Sequence, residues 1–328
     1  MRAVVVTQNG GPEVLEVRDE PEPEPGPVDM LVEVEAAGVN YRDIYEREGG
    51  GPYGGNPPFV AGVEGAGTVA AIGSDIHEFQ VGDRVAWSNA QGSYAERVAV
   101  PADVAVPIPA DVRTEVAAAV LLQGMTAHYL AVSTYPVQPG DSVLVHAGAG
   151  GVGLLLIQIA KHRGGHVIAT TSTEEKAELA RAAGADDVIS YDGFGDRVTE
   201  LTAGGVGVAA VYDGIGRTTF DESLASLRPR GYMVLYGAAS GKPGPLDPAR
   251  LGAGGSLFLT RPTLKNYTTT RDELLRRAGD VFDWVATGEV EVRIGGRYPL
   301  VEARRAQEDL ESRGTTGKLI LLPGLANA

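Results

Sequence analysis

The sequence predicts an α/β chain of two domains, with a doubly wound parallel sheet inserted into a β-rich domain. Three observations predict it. Short β-rich runs with turn punctuation fill the first third, strands and helices alternate in the middle, and two helices and a last apolar strand close the chain. The expected divisions are 1–125 for the first part of the β-rich domain, 126–265 for the inserted domain and 266–328 for the return.

In order, the β-rich runs are Arg2 to Thr7, Met30 to Val39, Gly67 to Gly73, Asp83 to Trp87 and Ser93 to Val100. Their spacing predicts a small, irregular barrel-like domain. The Pro-rich stretch Pro21 to Pro27 reads as an extended surface connection. From Thr114 the pattern changes. An apolar-periodic helix, Glu115 to Leu130, leads to a strand Ser142 to His146 and a helix Val152 to His162. There follow strand His166 to Thr170, helix Thr173 to Ala183, strands Asp187 to Tyr191 and Val208 to Asp213, helix Thr218 to Leu227 and strand Gly231 to Tyr236. Such alternation is that of a parallel sheet covered on both faces. The return consists of helices Arg271 to Thr287 and Val301 to Glu311 and the strand Lys318 to Leu322, which would complete the first domain.

Composition narrows the function classes. The 328 residues suffice for two cores, and 43% hydrophobic with 22% charged residues is the make-up of a globular chain. A net charge of −15 opposes nucleic acid and anionic membranes, which require a basic footprint. Neither a long uninterrupted apolar run nor a leader-like N-terminus is apparent, so the expectation is no membrane span and a cytoplasmic location. Cysteine is absent, which removes disulfides, thiolate nucleophiles and zinc sites with cysteine ligands.

The most informative stretch runs from Asp141 to Ala160. It reads as a buried strand, a glycine turn and an apolar helix, with Gly148, Gly150 and Gly153 in the GxGxxG spacing of a dinucleotide-binding Rossmann unit. Gly148 would permit the sharp turn, Gly150, Gly151 and Val152 would bring bare backbone to a pyrophosphate, and Gly153 would let helix and strand pack closely. Free N–H groups and the helix dipole then attract the anion. At the end of the second Rossmann strand, NAD-specific folds place a carboxylate for the ribose 2′-hydroxyl. Here the residues are Ala169 to Thr173, followed by Glu174 and Lys176. Hydroxyls and a cation suit a 2′-phosphate, so NADPH is the expected cofactor. Lys176 is one of only five lysines; its plainer reading is an exposed helix lysine.

Taken together, the motifs GGPEVL (10–15), GVNYRDIY (38–45), GVEGAG (62–67), VGDRV (81–85), GMT (124–126), VYDGIG (211–216), TRP (260–262) and ESR (311–313) resemble, in order and spacing, the zinc-independent quinone oxidoreductases. These are the zeta-crystallin-like branch of the medium-chain dehydrogenase/reductase superfamily. The resemblance implies a GroES-like catalytic domain carrying an inserted Rossmann domain, and reduction of a small quinone or other activated electrophile by NADPH. Zinc-dependent relatives carry Gly-His-Glu where this chain has Gly62, Val63 and Glu64, and no cysteine is available as a ligand, so no metal is expected. The resemblance also implies that Ser172, Lys176 and Tyr191 form the NADPH-selective pocket. It puts Asn40 and Tyr45 near the nicotinamide and ribose, Thr126 at the start of the cofactor domain and Gly216 at a strand end. Gly237, Ala238, Ala239 and Ser240 would lie on the adenine or ribose side, Phe258, Leu259, Thr260 and Arg261 at the carboxamide and pyrophosphate edge, and Arg313 near a phosphate. A homodimer joined through Rossmann edge strands near Ser226 to Tyr236 or Ser256 to Thr260 is implied as well.

Hydride transfer asks the protein to hold the nicotinamide against an electrophile and exclude water. Tyr45 and Asn40 are the expected groups that orient the quinone oxygen, Tyr45 being the better donor because a phenol is neutral at pH 7. His146, at the end of the first Rossmann strand, is read as structural, and so are Asp213 and Glu64. After Tyr45 the family runs through a short Gly-x-Tyr-Pro segment, whereas here a glycine-rich loop spans residues 49–56 and makes substrate preference hard to transfer. Two other readings stay open. One is reduction of activated carbon–carbon double bonds in enals, enones or enoyl thioesters; the other is a non-catalytic NADPH- or RNA-binding crystallin-like role, which the negative charge disfavours for RNA.

Overall fold

A computed structural model describes residues 1–50 and 55–325. The chain separates into two compact units, one made of Met1–Leu122, Thr270–Ala286 and Val292–Ala328, the other of Gln123–Thr269 and Thr287–Glu291.

The first unit opens with strands β1 (Arg2–Val6), β2 (Leu15–Asp19) and β3 (Asp29–Val39), and a short helix α1 (Tyr41–Arg47). Strands β4 (Phe59–Val60), β5 (Gly65–Ile72), β6 (Arg84–Trp87), β7 (Arg97–Pro101) and β8 (Ala105–Pro107) follow, then helix α2 (Thr114–Tyr129). β1 is the centre of a three-stranded antiparallel sheet, between β2 and β4. Strand β3 pairs antiparallel with β5 along one edge and, over Asp29 to Glu33, with β7 along the other, and its register to β5 shifts between Leu31 and Val32 and between Val34 and Ala36. Inward residues such as Val4, Met30, Val32, Val69, Trp87 and Val100 form one core. Trp87 is fully buried there because its ring N–H finds Ser93 Oγ at 2.8 Å. With its π-helical extension α2 spans Thr114–Thr134, long and apolar enough to cross a membrane, but 72% of its most apolar window is buried within the protein. It is a core helix.

The second unit continues with β9 (Ser142–Val145), α3 (Gly151–His162), β10 (His166–Thr170), α4 (Glu174–Ala182), β11 (Asp187–Ile189) and α5 (Phe194–Leu201). Then come β12 (Val208–Asp213), α6 (Phe220–Ala225), β13 (Leu227–Leu235), α7 (Ala249–Ala253) and β14 (Phe258–Thr260). These strands form a parallel six-stranded sheet in the order β11-β10-β9-β12-β13-β14. The reversal of order at β9 is the switch point where ligands of open α/β sheets bind. Val143, Leu144, Val145 and the whole of β12 are buried, as helix-covered parallel strands require.

The chain returns to the first unit through α8 (Arg271–Thr287), β15 (Ile294–Pro299), α9 (Ala303–Glu311) and β16 (Lys318–Leu322). β16 pairs antiparallel with β3, Leu319 opposite Val39 and Leu321 opposite Ala37, so the last strand closes a sheet begun near residue 30. The chain is thus a β-rich domain into which a domain with a doubly wound parallel sheet is inserted.

Several elements differ from expectation. Helix 218–227 is shorter, α6 ending at Ala225, and β13 starts at Leu227 instead of Gly231, with its register to β12 broken between Val208 and Ala210. The segment 226–236 is therefore no sheet edge, since β13 has β12 on one side and β14 on the other; of the two segments only 256–260 holds an edge strand, β14, and the opposite edge of the sheet is β11. Strands β2, β4, β8, β14 and β15 and helices α1, α5 and α7 escaped the pattern because they are short or carry exposed polar positions; of these only β14 is implied by the resemblance, as an edge strand near Ser256 to Thr260. Residues 51–54 of the glycine-rich loop lie outside the described residues.

Candidate active site

In the second unit the turn between β9 and α3 is shaped for an anion. Gly150 precedes α3 with extended backbone and no side-chain cap, leaving the helix's first N–H groups to an incoming acceptor. A Cβ on Gly153 would stand 2.2 Å from the Ala147 carbonyl oxygen, so only glycine lets α3 pack on this turn. The role expected of Gly148 needs correcting. The left-handed residue is Ala147, at φ 52°, whereas a Cβ on Gly148 would meet the Ala169 Cβ at 2.9 Å; Gly148 serves close packing of strands and helices. Gly151 leaves room for the Gln123 carboxamide, 2.0 Å from where its Cβ would be. Val152 lies in the first turn of α3.

Tyr191 reaches this turn, its hydroxyl accepting the Ala147 N–H at 3.0 Å. At the end of β10, Thr173 caps α4 by accepting the Lys176 N–H, and Lys176 Nζ lies 3.4 Å from Ser172 Oγ. No carboxylate ends β10. A hydroxyl and a cation at a helix N-terminus fit a 2′-phosphate, and the uncapped glycine turn fits a pyrophosphate.

A second loop pair is laced together on the same sheet. Asp213, fully buried, accepts the N–H groups of Ile215 and Gly216 at 2.7 and 2.9 Å and the Thr219 hydroxyl at 2.8 Å. Gly216 has φ 90°, and Ser240 Oγ donates to the Ile215 carbonyl at 2.8 Å and accepts from Thr218 N at 3.1 Å. Gly237 passes so close to Gly214 that a Cβ would meet its carbonyl oxygen at 2.5 Å. Gly216 and the run Gly237, Ala238, Ala239, Ser240 are thereby held in one place. Thr126 is buried in α2. Phe258, Leu259 and Thr260 lie on edge strand β14, three strands from β9, with Phe258 half exposed and stacked on Tyr232 at 4.6 Å. Arg261 follows and contacts the Pro262 carbonyl at 3.4 Å.

His146 is a structural hub. Its ring nitrogens meet Thr170 Oγ1 and Ser223 Oγ, each at 2.8 Å, and burial pushes it down to about 4, so it is neutral at pH 7. Its partners Thr170 and Ser223, and Asp213's partner Thr219, are residues that sequence reasoning missed.

In the first unit the expected residue Tyr45 lies in α1 and Asn40 caps its start. Asn40 precedes the helix and its N–H donates to Asp43 Oδ2 at 2.9 Å. Its carboxamide is already engaged: Nδ2 donates to Glu64 Oε2 at 2.8 Å and to the Gly38 carbonyl at 3.3 Å, and Oδ1 accepts from Lys318 Nζ at 2.7 Å. Both amide protons are spent inside the protein, so Asn40 is no free donor to a substrate oxygen. Tyr45, half buried, keeps the donor role for consideration. Lys318 and Glu64, 1% and 0% exposed, pair at 2.5 Å, and Glu64 Oε1 accepts the Leu122 N–H at 2.7 Å. Arg47, buried at the other end of α1, donates to the Gly10 carbonyl, to Gln307 and to Glu311. Arg313 is exposed beside Tyr41, whose phenol burial pushes up and that cation pulls down. Glu64 was foreseen as structural; Lys318, Arg47 and Asp43 were not foreseen. Among the described residues no group of three His, Cys, Asp or Glu could hold a metal ion.

Comparison with known proteins decides the family. Residues 26–110 match the model of the alcohol dehydrogenase GroES-like domain and residues 151–278 that of zinc-binding dehydrogenases. A quinone oxidoreductase of Pseudomonas aeruginosa is 43% identical over 317 residues, 96% of this chain and 97% of the relative. The chain belongs to the zeta-crystallin-like quinone oxidoreductases. Within the medium-chain dehydrogenase/reductase superfamily this branch also has a relative in a 2-haloacrylate reductase of Burkholderia sp, 40% identical over 330 residues and 98% of each chain. A mycobacterial protein solved in complex with NADPH is 52% identical, with a TM-score of 0.95 over 98% of this chain and 100% of the other. The zinc-binding name of the second family model meets Val63 and an absence of cysteine in this quinone oxidoreductase chain.

Proposed function

We infer that the protein is an NADPH-dependent quinone oxidoreductase that works without a metal. The observation that carries this reading is the β9–α3 turn, uncapped at Gly150 and accompanied by Lys176 and Ser172, in a chain that matches quinone oxidoreductases over nearly its whole length. NADPH supplies the hydride when bound. The chain's own residues bind and orient. Gly150, Gly151 and Val152 present backbone to the pyrophosphate, Gly148 and Gly153 let the turn and α3 pack closely enough to shape that site, and Ser172, Lys176 and Tyr191 take the 2′-phosphate. Thr126, Gly216, the run 237–240, the run 258–261 and Arg313 complete the cofactor contacts, with Asn40 and Tyr45 at the nicotinamide end.

A quinone is already activated, so the protein has only to orient it and provide a proton donor to the oxygen that gains charge. Tyr45 is our candidate donor. Tyr45→Phe should lower kcat about tenfold or more and leave the KM for NADPH within about threefold, as loss of one transition-state hydrogen bond does; unchanged turnover would sink this role.

The 2-haloacrylate reductase relative favours a second reading, reduction of an activated carbon–carbon double bond, with Tyr45 delivering the proton to the alpha carbon. Loss of reduced-nicotinamide absorbance with purified protein separates the two. Fast consumption with a small para-quinone supports the leading reading, and consumption only with a conjugated enal moves the enzyme to the alkene reductases. Silence with both, despite NADPH binding, favours a non-catalytic role. We further propose a cytoplasmic homodimer joined through edge strand β14, whose Phe258 and Leu259 are 50% and 38% exposed. Light scattering at a monomer mass would reject the dimer.

A further inference from the structure

The short helix α1 carries Tyr45, yet seven residues make too little helix to hold a side chain in place alone. Both of its ends are fixed by the C-terminal segment. At the start, Asn40 is gripped by Lys318 and Glu64; at the end, Arg47 is gripped by Gln307 at 2.6 Å and Glu311 at 2.8 Å. The partners from the C-terminal segment lie 254 to 278 positions from the residues they hold, Lys318 from Glu64 and from Asn40 among them, whereas Glu64 lies 24 positions from Asn40. Space for the pair is built in: a Cβ on Gly38 would stand 2.2 Å from Glu64 Oε2 and 2.8 Å from Lys318 Cε.

A buried ion pair is costly, because two charges leave water, and apolar replacements often stabilise. Stability alone therefore gives no account of Lys318. What the pair does contribute is direction. Lys318 accepts no hydrogen bond and can only donate, so it fixes which face of the Asn40 carboxamide is oxygen; Glu64 accepts only and fixes the nitrogen. Glu64 is itself fixed by the Leu122 N–H of α2, so the start of α1 is referred to a core helix.

We propose that Lys318 and Glu64 are positioning residues for the reaction: the pair sets Asn40 and with it the placement of α1 and the Tyr45 phenol, without touching substrate. The idea rests on the reading of Tyr45 as donor given above. The group pairs without covalent or redox change, so kinetics must report it.

The test is the double variant Lys318→Met/Glu64→Gln, which removes both charges while keeping the methylene stem and an acceptor for Leu122. It avoids the unpaired buried charge that each single change would leave, and circular dichroism with thermal unfolding verifies its fold. We expect kcat with a para-quinone to fall by roughly tenfold to hundredfold, the loss expected of a displaced catalytic group, with the Kd for NADPH, measured by fluorescence, changed by less than about threefold. Lys318→Arg, which keeps the charge and donors, should recover a large part of kcat. Adding Tyr45→Phe to the double variant should cost little more, whereas in the natural chain it costs its full effect. A folded double variant with natural kcat overturns the proposal even when Tyr45→Phe is strongly impaired. A silent Tyr45→Phe instead overturns the donor reading, and the clamp is then judged by the kcat of the double variant alone. Fully additive losses overturn the claim that the pair acts through Tyr45. Should the double variant not fold, Asn40→Asp in the otherwise natural chain makes the same test, because it removes the Nδ2 donor to Glu64 while keeping the acceptor for Lys318, and a natural kcat there overturns it.

Discussion

The proposed anion site of the second unit is made of backbone, and the polar end of the first unit is made of side chains. Around Ala147 to Gly153 the determining features are absences: no Cβ at Gly148, Gly150 or Gly153, no cap on α3 and no carboxylate after β10. Around α1 they are presences, with Asn40, Asp43, Arg47, Glu64, Gln307 and Lys318 buried and bonded across the whole length of the chain. The difference teaches how each can fail. A backbone site is lost when something is added, whereas a side-chain site is lost when something is removed or its charge changes.

The largest expected effect comes from adding one methyl group to the backbone site. Gly153→Ala would bring a Cβ to 2.2 Å from the Ala147 carbonyl oxygen, and backbone cannot step aside as a flexible side chain can. Overpacking of this kind costs about 1–3 kcal/mol. If α3 moves to relieve it, NADPH affinity should drop by about tenfold to hundredfold. Fluorescence titration and thermal unfolding check both; unchanged affinity would mean the turn is more pliant than its packing implies.

A pH change should act on the two regions with opposite sign. Burial holds His146 down at about 4 against an unfolded value near 6.5, so the fold favours its neutral form. That contribution is complete above pH 6.5 and is lost as pH falls towards 4, amounting to roughly 3 kcal/mol. In α1, burial pushes Asp43 up to about 6 and Glu46 up to about 7, the latter also through repulsion by Asp43. The fold favours their protonated forms, so this contribution is complete below about pH 4 and is lost as pH rises through 6 and 7. Hydrogen exchange, corrected for its intrinsic pH dependence, should show β9 and β10 better protected at pH 7 than at pH 5 and α1 the reverse. The same sign in both regions would refute the contrast.

This contrast also explains what could be read from the chain without its structure. The Rossmann unit was legible because its signals are local: apolar runs at β9, β10 and β12, glycines at a fixed spacing, and a hydroxyl and lysine after β10. Strand β14, three residues of Phe-Leu-Thr, is too short to announce itself. The α1 clamp was illegible because Lys318 and Asn40 meet only after the fold has closed. One signal was available. Lys318 is a scarce lysine opening the apolar strand Lys318–Leu322, and a lone cation there calls for a buried anion. His146 was read as structural, and its partners Thr170 and Ser223 lie on other elements and had no pattern to mark them.

The smallest expected effects sharpen the boundary between the two kinds of site, because Lys176 and Ser172 are the side-chain fringe of the backbone one. Lys176 lies 3.4 Å from Ser172 Oγ at an open helix N-terminus, where water competes with a phosphate. An exposed charge-assisted hydrogen bond contributes about 1.5 kcal/mol, so Lys176→Ala should raise the KM for NADPH roughly tenfold and leave that for NADH unchanged. Ser172→Ala removes a neutral hydrogen bond and should raise the KM for NADPH only about twofold to fivefold, by the same comparison. Steady-state kinetics with both nucleotides reads the ratio. If Lys176→Ala weakens NADPH and NADH alike, the lysine serves the α4 N-terminus and not the 2′-phosphate, and cofactor choice would rest on the missing carboxylate after β10, again an absence in the backbone-built half.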